Sequence, residues 1–298
     1  KGNFIAYSMQ PRSGISSVYI WSSDENKSYR VTPAMFSSSN PTWDPSGGYL
    51  YFLSNREFAP QVSSSEFNYA TNRMTQIYAL ALRKDTKNPF PIESDEVTIA
   101  EEKPAATPAP AGTPTPEKID FDGIEARAAK APLGADNYGG LSANKGHLIY
   151  TTQPAFYYGR GSDGAPSLRI FSLKDRKETI LVTPAGGFAL SEDGTKIMTS
   201  SFGGFSILDA SPAGERTKKS VSVNGLTAEI DPVAEWNQIF NEVWRRYRDW
   251  FYAGNMHGFD WVKIRDDYKK WLPYVAHRSD LNYIISEMSA ELTVQHAY

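Results

Sequence analysis

The sequence predicts a mainly β chain with an α-helical C-terminal segment, built as partial β-propeller blades followed by a three-helix subdomain. Three observations carry this. Short runs of β-branched and aromatic residues at period two fill residues 1–99 and 119–230. A weak repeat inside those runs keeps its turns in place. At Asp231-Pro232 the apolar period changes from two to that of a helix.

The strands come first. "NFIAYSM" (3–9), "SVYIWSS" (17–23), "GYLYFLSN" (48–55) and "TQIYALALR" (75–83) each carry β-branched or aromatic residues at period two. Turn chemistry separates them: Pro11 to Gly14, Asp24 to Lys27, and Asp44-Pro45-Ser46-Gly47-Gly48. "HLIYTTQ" (147–153), "SLRIFSLKD" (167–175), "TILVT" (179–183), "TKIMTSS" (195–201) and "FSILDA" (205–210) continue the style.

Three stretches align within this pattern: "PTWDPSGGYLYFLSN" (41–55), "YGGLSANKGHLIYTTQ" (138–153) and "GGFALSEDGTKIMTSS" (186–201). Each has a small or apolar start, a Ser/Asp/Pro/Gly turn, and a strand ending in polar residues. A strand running into a charged turn follows each one: "IYALALRKD", "LRIFSLKD" or "FSILDA". A unit of short antiparallel strands repeated every ~40–50 residues is the mark of a propeller blade. A non-repetitive sandwich has similar turn spacing, but the preserved turn position favours the propeller. Three to four blades fit. With no initiator Met before "KGNFIAYS", the chain reads as a segment of something longer.

Residues 100–118, "AEEKPAATPAPAGTPTPEK", are expected to form a solvated Pro/Ala-rich linker inside a blade loop. Pro104, Pro108, Pro110, Pro114 and Pro116 remove backbone donors and forbid both helix and ladder there.

The helical segment is expected over 232–298, against blades over 1–231. Asp231 suits an N-cap and Pro232 the first turn. Trp236, Ile239, Phe240, Val243, Trp244, Tyr247 and Phe251 then form a wide aromatic stripe. After the loop "YAGNMHGFD" (252–260), a second helix starts near Asp260, with Trp261, Ile264, Tyr268 and Trp271 expected to face inward, and Pro273 ends it. Ser279 is expected to cap a third helix, striped by Leu281, Ile284, Ile285, Met288 and Leu292.

Composition narrows the function. Hydrophobic residues are 40% and charged residues 22%, as in a soluble globular protein, and no apolar run reaches the ~20 residues of a membrane span. A net charge of -3 with scattered Lys and Arg argues against nucleic acid or an acidic membrane as partner. The absence of cysteine removes thiolate chemistry and disulfides. No metal-ligand spacing, Gly-rich phosphate loop or GxSxG elbow occurs, so neither metal nor cofactor is expected.

The four histidines can be weighed one by one. His147 opens a strand beside Gly146 and reads as a surface hairpin residue. His257, in "NMHGFD", is expected to hydrogen-bond loop backbone. His277 reads as a solvated loop residue. His296 leaves a helix whose apolar stripe ends at Leu292. Rigid structure there could hold an imidazole as a general base, since a pKa near 6.5 lets it exchange protons at neutral pH. Spacing alone favours a structural residue at a chain end over a base.

The segment "AEWNQIFNEVWRRYRDWFYAGNMHGFDWVKIRDDYKKWLPYVAHRSDLNYIISEMSAELTVQHAY" (234–298) resembles the first catalytic subdomain of tricorn-type proteases, in the S41 serine peptidase family. The Trp-rich first helix, "NMHGFDW", "LPYVAHRSDLNYIISEM" and the closing "ELTVQHAY" carry the resemblance. "IDFDGIEARAAKAPL" (119–133) is similar to a blade junction of that family. The resemblance implies a serine-type peptidase acting on peptides or unfolded polypeptides, with the residue matching His296 as general base. It places the nucleophilic serine on a later domain beyond a PDZ-like module, so these residues alone would be inactive. It also implies a homo-oligomer, peptide substrates and a cytoplasmic location. The lack of cysteine and the Ala/Pro/Thr linker fit a bacterial cell envelope as the alternative. One departure stands out: Gln295 occupies a position where the family commonly has Ser or another small residue. It favours the alternative function, a non-catalytic β-propeller that binds peptides or proteins.

Overall fold

The computed structural model describes residues 2–58, 60–62, 69–91, 118–155, 162, 164–201 and 203–294. It divides into two compact units, Lys1–Val223 and Asn224–Tyr298.

The first unit is built of antiparallel meanders. β1 (Phe4–Met9), β2 (Ser17–Ser22) and β3 (Lys27–Arg30) form a three-stranded sheet in chain order. β4 (Ser38–Trp43) and β5 (Tyr49–Asn55) begin the second sheet, and a small ribbon of β6 (Pro60–Val62) and β7 (Tyr69–Thr71) follows. β8 (Thr75–Ala81) and β9 (Ala128–Lys130) complete the second sheet in the order β4-β5-β8-β9. β10 (Tyr138–Asn144), β11 (His147–Thr152), β12 (Ser167–Ser172) and β13 (Lys177–Val182) make the third. β14 (Phe188–Leu190), β15 (Lys196–Ser201), β16 (Gly204–Asp209) and β17 (Lys219–Val221) make the fourth. Each is a propeller-blade meander, and the aligned repeats fall on the first hairpin of sheets two, three and four. The Pro/Ala-rich stretch lies in the connection from β8 to β9; apart from Lys118 it lies outside the described residues.

The repeat extends to backbone detail. β4 shifts register between Ser39 and Thr42, with Asn40 at φ 51°, and β10 does so between Gly139 and Ser142, with Gly140 at φ 55°. A bulge at the same place in each strand needs a left-handed residue, which Asn and Gly tolerate best. The three-stranded sheet fits the same frame. "SVYIWSSDENKSYRVTPA" (17–34) aligns with "SLRIFSLKDRKETILVTPA" (167–185), and both hairpins turn on a left-handed residue, Asn26 or Arg176. The second is one residue longer because β12 and β13 shift register between Leu168 and Arg169. β1, β2 and β3 therefore correspond to the second, third and fourth strands of the other sheets.

Burial explains why these strands read as nearly continuous apolar runs. In β5, Leu50 and Phe52 pack with Val18, Ile20, Tyr78 and Leu80, between sheets one and two. Tyr51 and Leu53 point the other way and pack with Ile77, Leu148, Tyr150 and Phe171, between sheets two and three. Ile149, Leu168, Ile170, Ile197 and Leu208 fill the space between sheets three and four. Successive side chains alternate faces, so a blade with neighbours on both sides needs apolar residues at every position. The fourth sheet is one-sided: Ile197 and Leu208 are buried, whereas Met198, Phe205 and Ile207 are 41–45% exposed.

Polar bonds tie the blades at their edges. Thr42 Oγ1 donates to Leu141 O at 2.7 Å between sheets two and three. Asn144 Nδ2 donates to Ala210 O at 2.8 Å and Gly194 O at 3.0 Å between sheets three and four. Before β9, a 3-10 turn (Ile124–Arg127) buries Ile124, and Arg127 donates to the carbonyls of Ala81, Asp120 and Asp122. The 119–133 junction is thus a guanidinium gathering backbone acceptors that the ladders leave open.

The second unit holds α1 (Pro232–Trp250), α2 (Trp261–Lys269) and α3 (Arg278–Ala290). The Asp231 carboxylate accepts from Val233 N at 3.0 Å and Ala234 N at 3.1 Å, satisfying two of the free amides of the first turn. All seven stripe residues of α1 join one core with Trp261, Leu272, Leu281, Met288 and Leu292. The tightest join is reciprocal. Trp244 Nε1 donates to Trp261 O at 2.9 Å and Trp261 Nε1 donates to Trp244 O at 3.1 Å. The guanidiniums of Arg248 and Arg265 lie 5.0 and 4.6 Å from the Trp244 ring.

Two local expectations are corrected. Trp271 does not face inward and is 59% exposed. α2 ends at Lys269 and a 3-10 turn (Leu272–Tyr274) follows around Pro273, so helical periodicity no longer sets the direction of Trp271. The cap of α3 is His277, not Ser279: its Nδ1 accepts from Ser279 N at 3.2 Å, while Asp280 Oδ2 accepts from His277 N at 3.0 Å. A helix that starts at Arg278 makes Ser279 a first-turn residue and gives the capping role to an imidazole.

Candidate functional site

His296 and Gln295 lie outside the described residues, and the described structure runs to Val294. What it does describe is the support before them. Leu281, Met288, Ser289 and Leu292 have no exposed surface, and Ser289 Oγ returns a hydrogen bond to Ile285 O at 2.9 Å. Thr293 N closes on Ala290 O at 2.9 Å with Thr293 at φ 51°. A β-branched residue is costly in that left-handed region, so packing around Leu292 must enforce it. The turn stops α3 and sets the direction in which the chain leaves it.

The other histidines are engaged structurally. His147 is half-buried, its Nδ1 3.0 Å from Asn144 Oδ1, and burial pulls its pKa below the ordinary 6.5. Since Asn144 bonds the fourth sheet, His147 belongs to a blade junction. His257 is not held by loop backbone: its Nε2 pairs with the Tyr252 hydroxyl, and its ring stands edge-on to Phe251 at 5.1 Å. The loop supports this through a run of left-handed residues, Met256, His257 and Gly258. His277 caps α3. The fold therefore gives three histidines local structural partners and does not bring them together.

Among the described residues no group of three or more His, Cys, Asp or Glu could hold a metal ion. No helix among them is long and apolar enough to cross a membrane. Arg56, just past β5, stacks 4.0 Å from the Tyr78 ring and donates to Ser54 Oγ at 3.2 Å.

The helical unit carries a groove of about 560 Å³ between the end of α2 and α3. Tyr268, Trp271, Tyr274 and Tyr283 line it with Asp280 and Glu287. Tyr268 donates to Glu291 Oε1 at 2.7 Å, and desolvation, with the Glu291 and Glu287 carboxylates, pushes its phenol up to about 12. Sequence reasoning missed this feature. Its signal in the sequence is that Tyr274 and Tyr283 sit off the core stripe, whereas the helical period places Trp271 in the core.

Comparison with known proteins decides the family. A model of the tricorn protease second beta propeller domain matches residues 1–211, and one of the tricorn protease C1 domain matches residues 232–290. The chain belongs to the tricorn protease family. The tricorn protease of Thermoplasma volcanium is 25% identical over 311 residues, covering 99% of this chain and 28% of that protein. Tricorn protease homolog 1 of Streptomyces coelicolor is 28% identical over 287 residues, covering 90% of this chain and 26% of that one. The crystal structure of the tricorn protease matches with a TM-score of 0.75 at 18% identity, over 99% of this chain and 28% of that chain, and shows a common fold. This tricorn-family chain thus spans about a quarter of the length of the curated relatives it matches. Its three-stranded and four-stranded meanders are blades of the second propeller, and its helical unit is the C1 domain.

Proposed function

We propose that this chain is the propeller and first helical subdomain of a serine peptidase that hydrolyses peptide bonds in peptides or unfolded polypeptides. His296 is its general base. The nucleophilic serine comes from outside these 298 residues. The observation that carries the proposal is the tandem family match, with the propeller model over 1–211 followed by the C1 model over 232–290, just before His296. The chemistry explains why a base is needed at such a point. A serine hydroxyl is too weakly acidic to attack an amide until a positioned base takes its proton, and the same imidazole then returns it to the leaving amine. Oxyanion donors must hold the charge that develops meanwhile. The packing of Met288, Ser289 and Leu292 supports the role, since a base must be held to within fractions of an ångström.

In the same proposal, the 298 residues alone do not cleave peptides, and the whole protein is a homo-oligomer acting on peptide substrates. Full-length protein and its His296→Ala variant, assayed on a peptide library, test it. A missing general base lowers kcat by about 10²–10⁴-fold. Light scattering reports the oligomer. Gln295 favours a second reading, a propeller that binds peptides without cleaving them. Peptide binding by full-length protein with no turnover would establish that reading and end the first.

A further inference from the structure

The groove of the C1 domain is open, aromatic and one-signed in charge. Trp271 is 59% exposed, Tyr274 79% and Tyr283 67%, although aromatic rings of this size are normally drawn into a core. The Trp271 and Tyr274 rings meet at 56° with centroids 6.2 Å apart, and both line the groove. Two carboxylates, Asp280 and Glu287, stand beside the rings, and no lysine or arginine lines the groove among the described residues. Asp280 is partly engaged, because its Oδ2 accepts from Ala276 N and His277 N. Glu287 makes no hydrogen bond or ion pair among the described residues and is exposed at the groove. Two neighbouring cations have partners of their own: Lys270 pairs with Asp267 at 2.8 Å, and Arg278 donates to Asn282 Oδ1 at 3.0 Å.

We infer that this groove is a docking site for a basic side chain, an arginine or lysine carried on a polypeptide segment, seated on Trp271, Tyr274 and Tyr283 with its charge facing Glu287. Aromatic ring faces are electron-rich and attract a cation, and the attraction is largest for a poorly hydrated guanidinium that can also stack. A nearby carboxylate adds attraction of the same sign, and among the described lining residues no cation opposes it. An uncharged apolar segment would fill the same volume but leave Glu287 facing it, desolvated and unpaired. A volume of about 560 Å³ holds one or two side chains rather than a folded domain face. The inference goes beyond the peptidase proposal and does not rest on it, since it concerns residues of α2, α3 and their connection only.

The test uses full-length protein and fluorescence anisotropy with three labelled pentapeptides that differ at two positions: arginine, citrulline or leucine. Citrulline keeps the shape of arginine and removes its charge. The expected result is saturable binding of the arginine peptide, weakened about tenfold by citrulline and at least as much by leucine. Trp271→Ala is expected to weaken arginine-peptide binding about three- to tenfold and Glu287→Gln about two- to fivefold. Raising salt weakens the remaining affinity further. Both side chains are exposed, so unchanged thermal melts are the control for folding; if Trp271→Ala melts early, Glu287→Gln and Tyr274→Ser decide. Equal affinity for the three peptides overturns the inference in favour of an apolar occupant. No saturation by the arginine peptide near 1 mM also overturns it, as does binding indifferent to Trp271 and Glu287.

Discussion

Replacing Trp261 by Phe tests what holds the C1 domain together. Trp261 is 4% exposed, and its indole both fills the core against Tyr247, 5.9 Å between ring centroids, and donates to Trp244 O at 3.1 Å. Phe keeps a ring but removes the donor and the second ring. A buried hydrogen bond contributes about 1 kcal/mol net. Both carbonyls in the reciprocal pair also sit in helices, so Trp244 O is not orphaned and the larger desolvation penalty does not apply. Shrinking indole to phenyl uncovers on the order of 50 Å² of apolar surface, about 1.3 kcal/mol at ~25 cal/mol per Å². The sum is about 2–3 kcal/mol. It is expected to appear as faster amide exchange in α1 and α2 by mass spectrometry, and as a lower urea midpoint for the helical transition by far-UV circular dichroism. Trp250→Phe is the matched control: at 85% exposure it should change stability by less than about 0.5 kcal/mol. If the two variants differ by less than about 1 kcal/mol, the reciprocal indole lock is not what joins α1 to α2, and the reasoning fails.

Asp231→Ala removes both first-turn hydrogen bonds and should cost about 1 kcal/mol, read as increased exchange over the first turn of α1. Leu148→Ala, at a fully buried position between sheets two and three, should cost about 2–5 kcal/mol and lower the melting temperature of the propeller unit. Gly140→Ala should destabilise by about 1–2 kcal/mol, because the residue is left-handed and a new Cβ would sit 3.3 Å from Phe188; a neutral melt would refute the bulge account. His147 has a folded pKa depressed by burial, so the unfolded chain takes up its proton first. Its contribution is full above about pH 6.5 and is lost as pH falls toward the folded value. An imidazole NMR titration should give a midpoint below 6.5, and a midpoint at or above it contradicts the burial argument.

How much was legible follows from which forces are local. Asp231 and Pro232 announce α1 because a cap and a first-turn proline act within one turn, and the structure begins the helix there. The strands of sheets two to four are legible because β-branched and aromatic runs of strand length end at turn residues. His277 was not legible as a cap, since imidazole is not among the usual capping groups and Ser279 stood two residues away. Trp271 was misread because periodicity was carried past Lys269, where the helix had ended. The place of β1, β2 and β3 as second to fourth strands lay in the sequence, in "VYIWSSDENKSYRVTPA", but it becomes visible once the bulge in β12 and β13 accounts for the one-residue offset. At the candidate site, the position after the stripe of α3 and the family resemblance mark His296, while the aromatic groove shows in the sequence only as Tyr274 and Tyr283 lying off the core stripe.

Local pattern alone sets the class of each segment, most of the turns between them, the Asp231 cap of α1 and the residues available for burial. Those properties depend on side-chain pattern and on hydrogen bonds between near neighbours. Which faces meet comes from the packing as a whole: Leu50 and Tyr51 in one strand serve two different cores, Trp244 and Trp261 exchange indole hydrogen bonds across the helices, and Trp271 joins Tyr274 and Tyr283 on an open acidic groove. Burial and pairing between residues far apart in the chain depend on the whole packing arrangement, which no local pattern encodes.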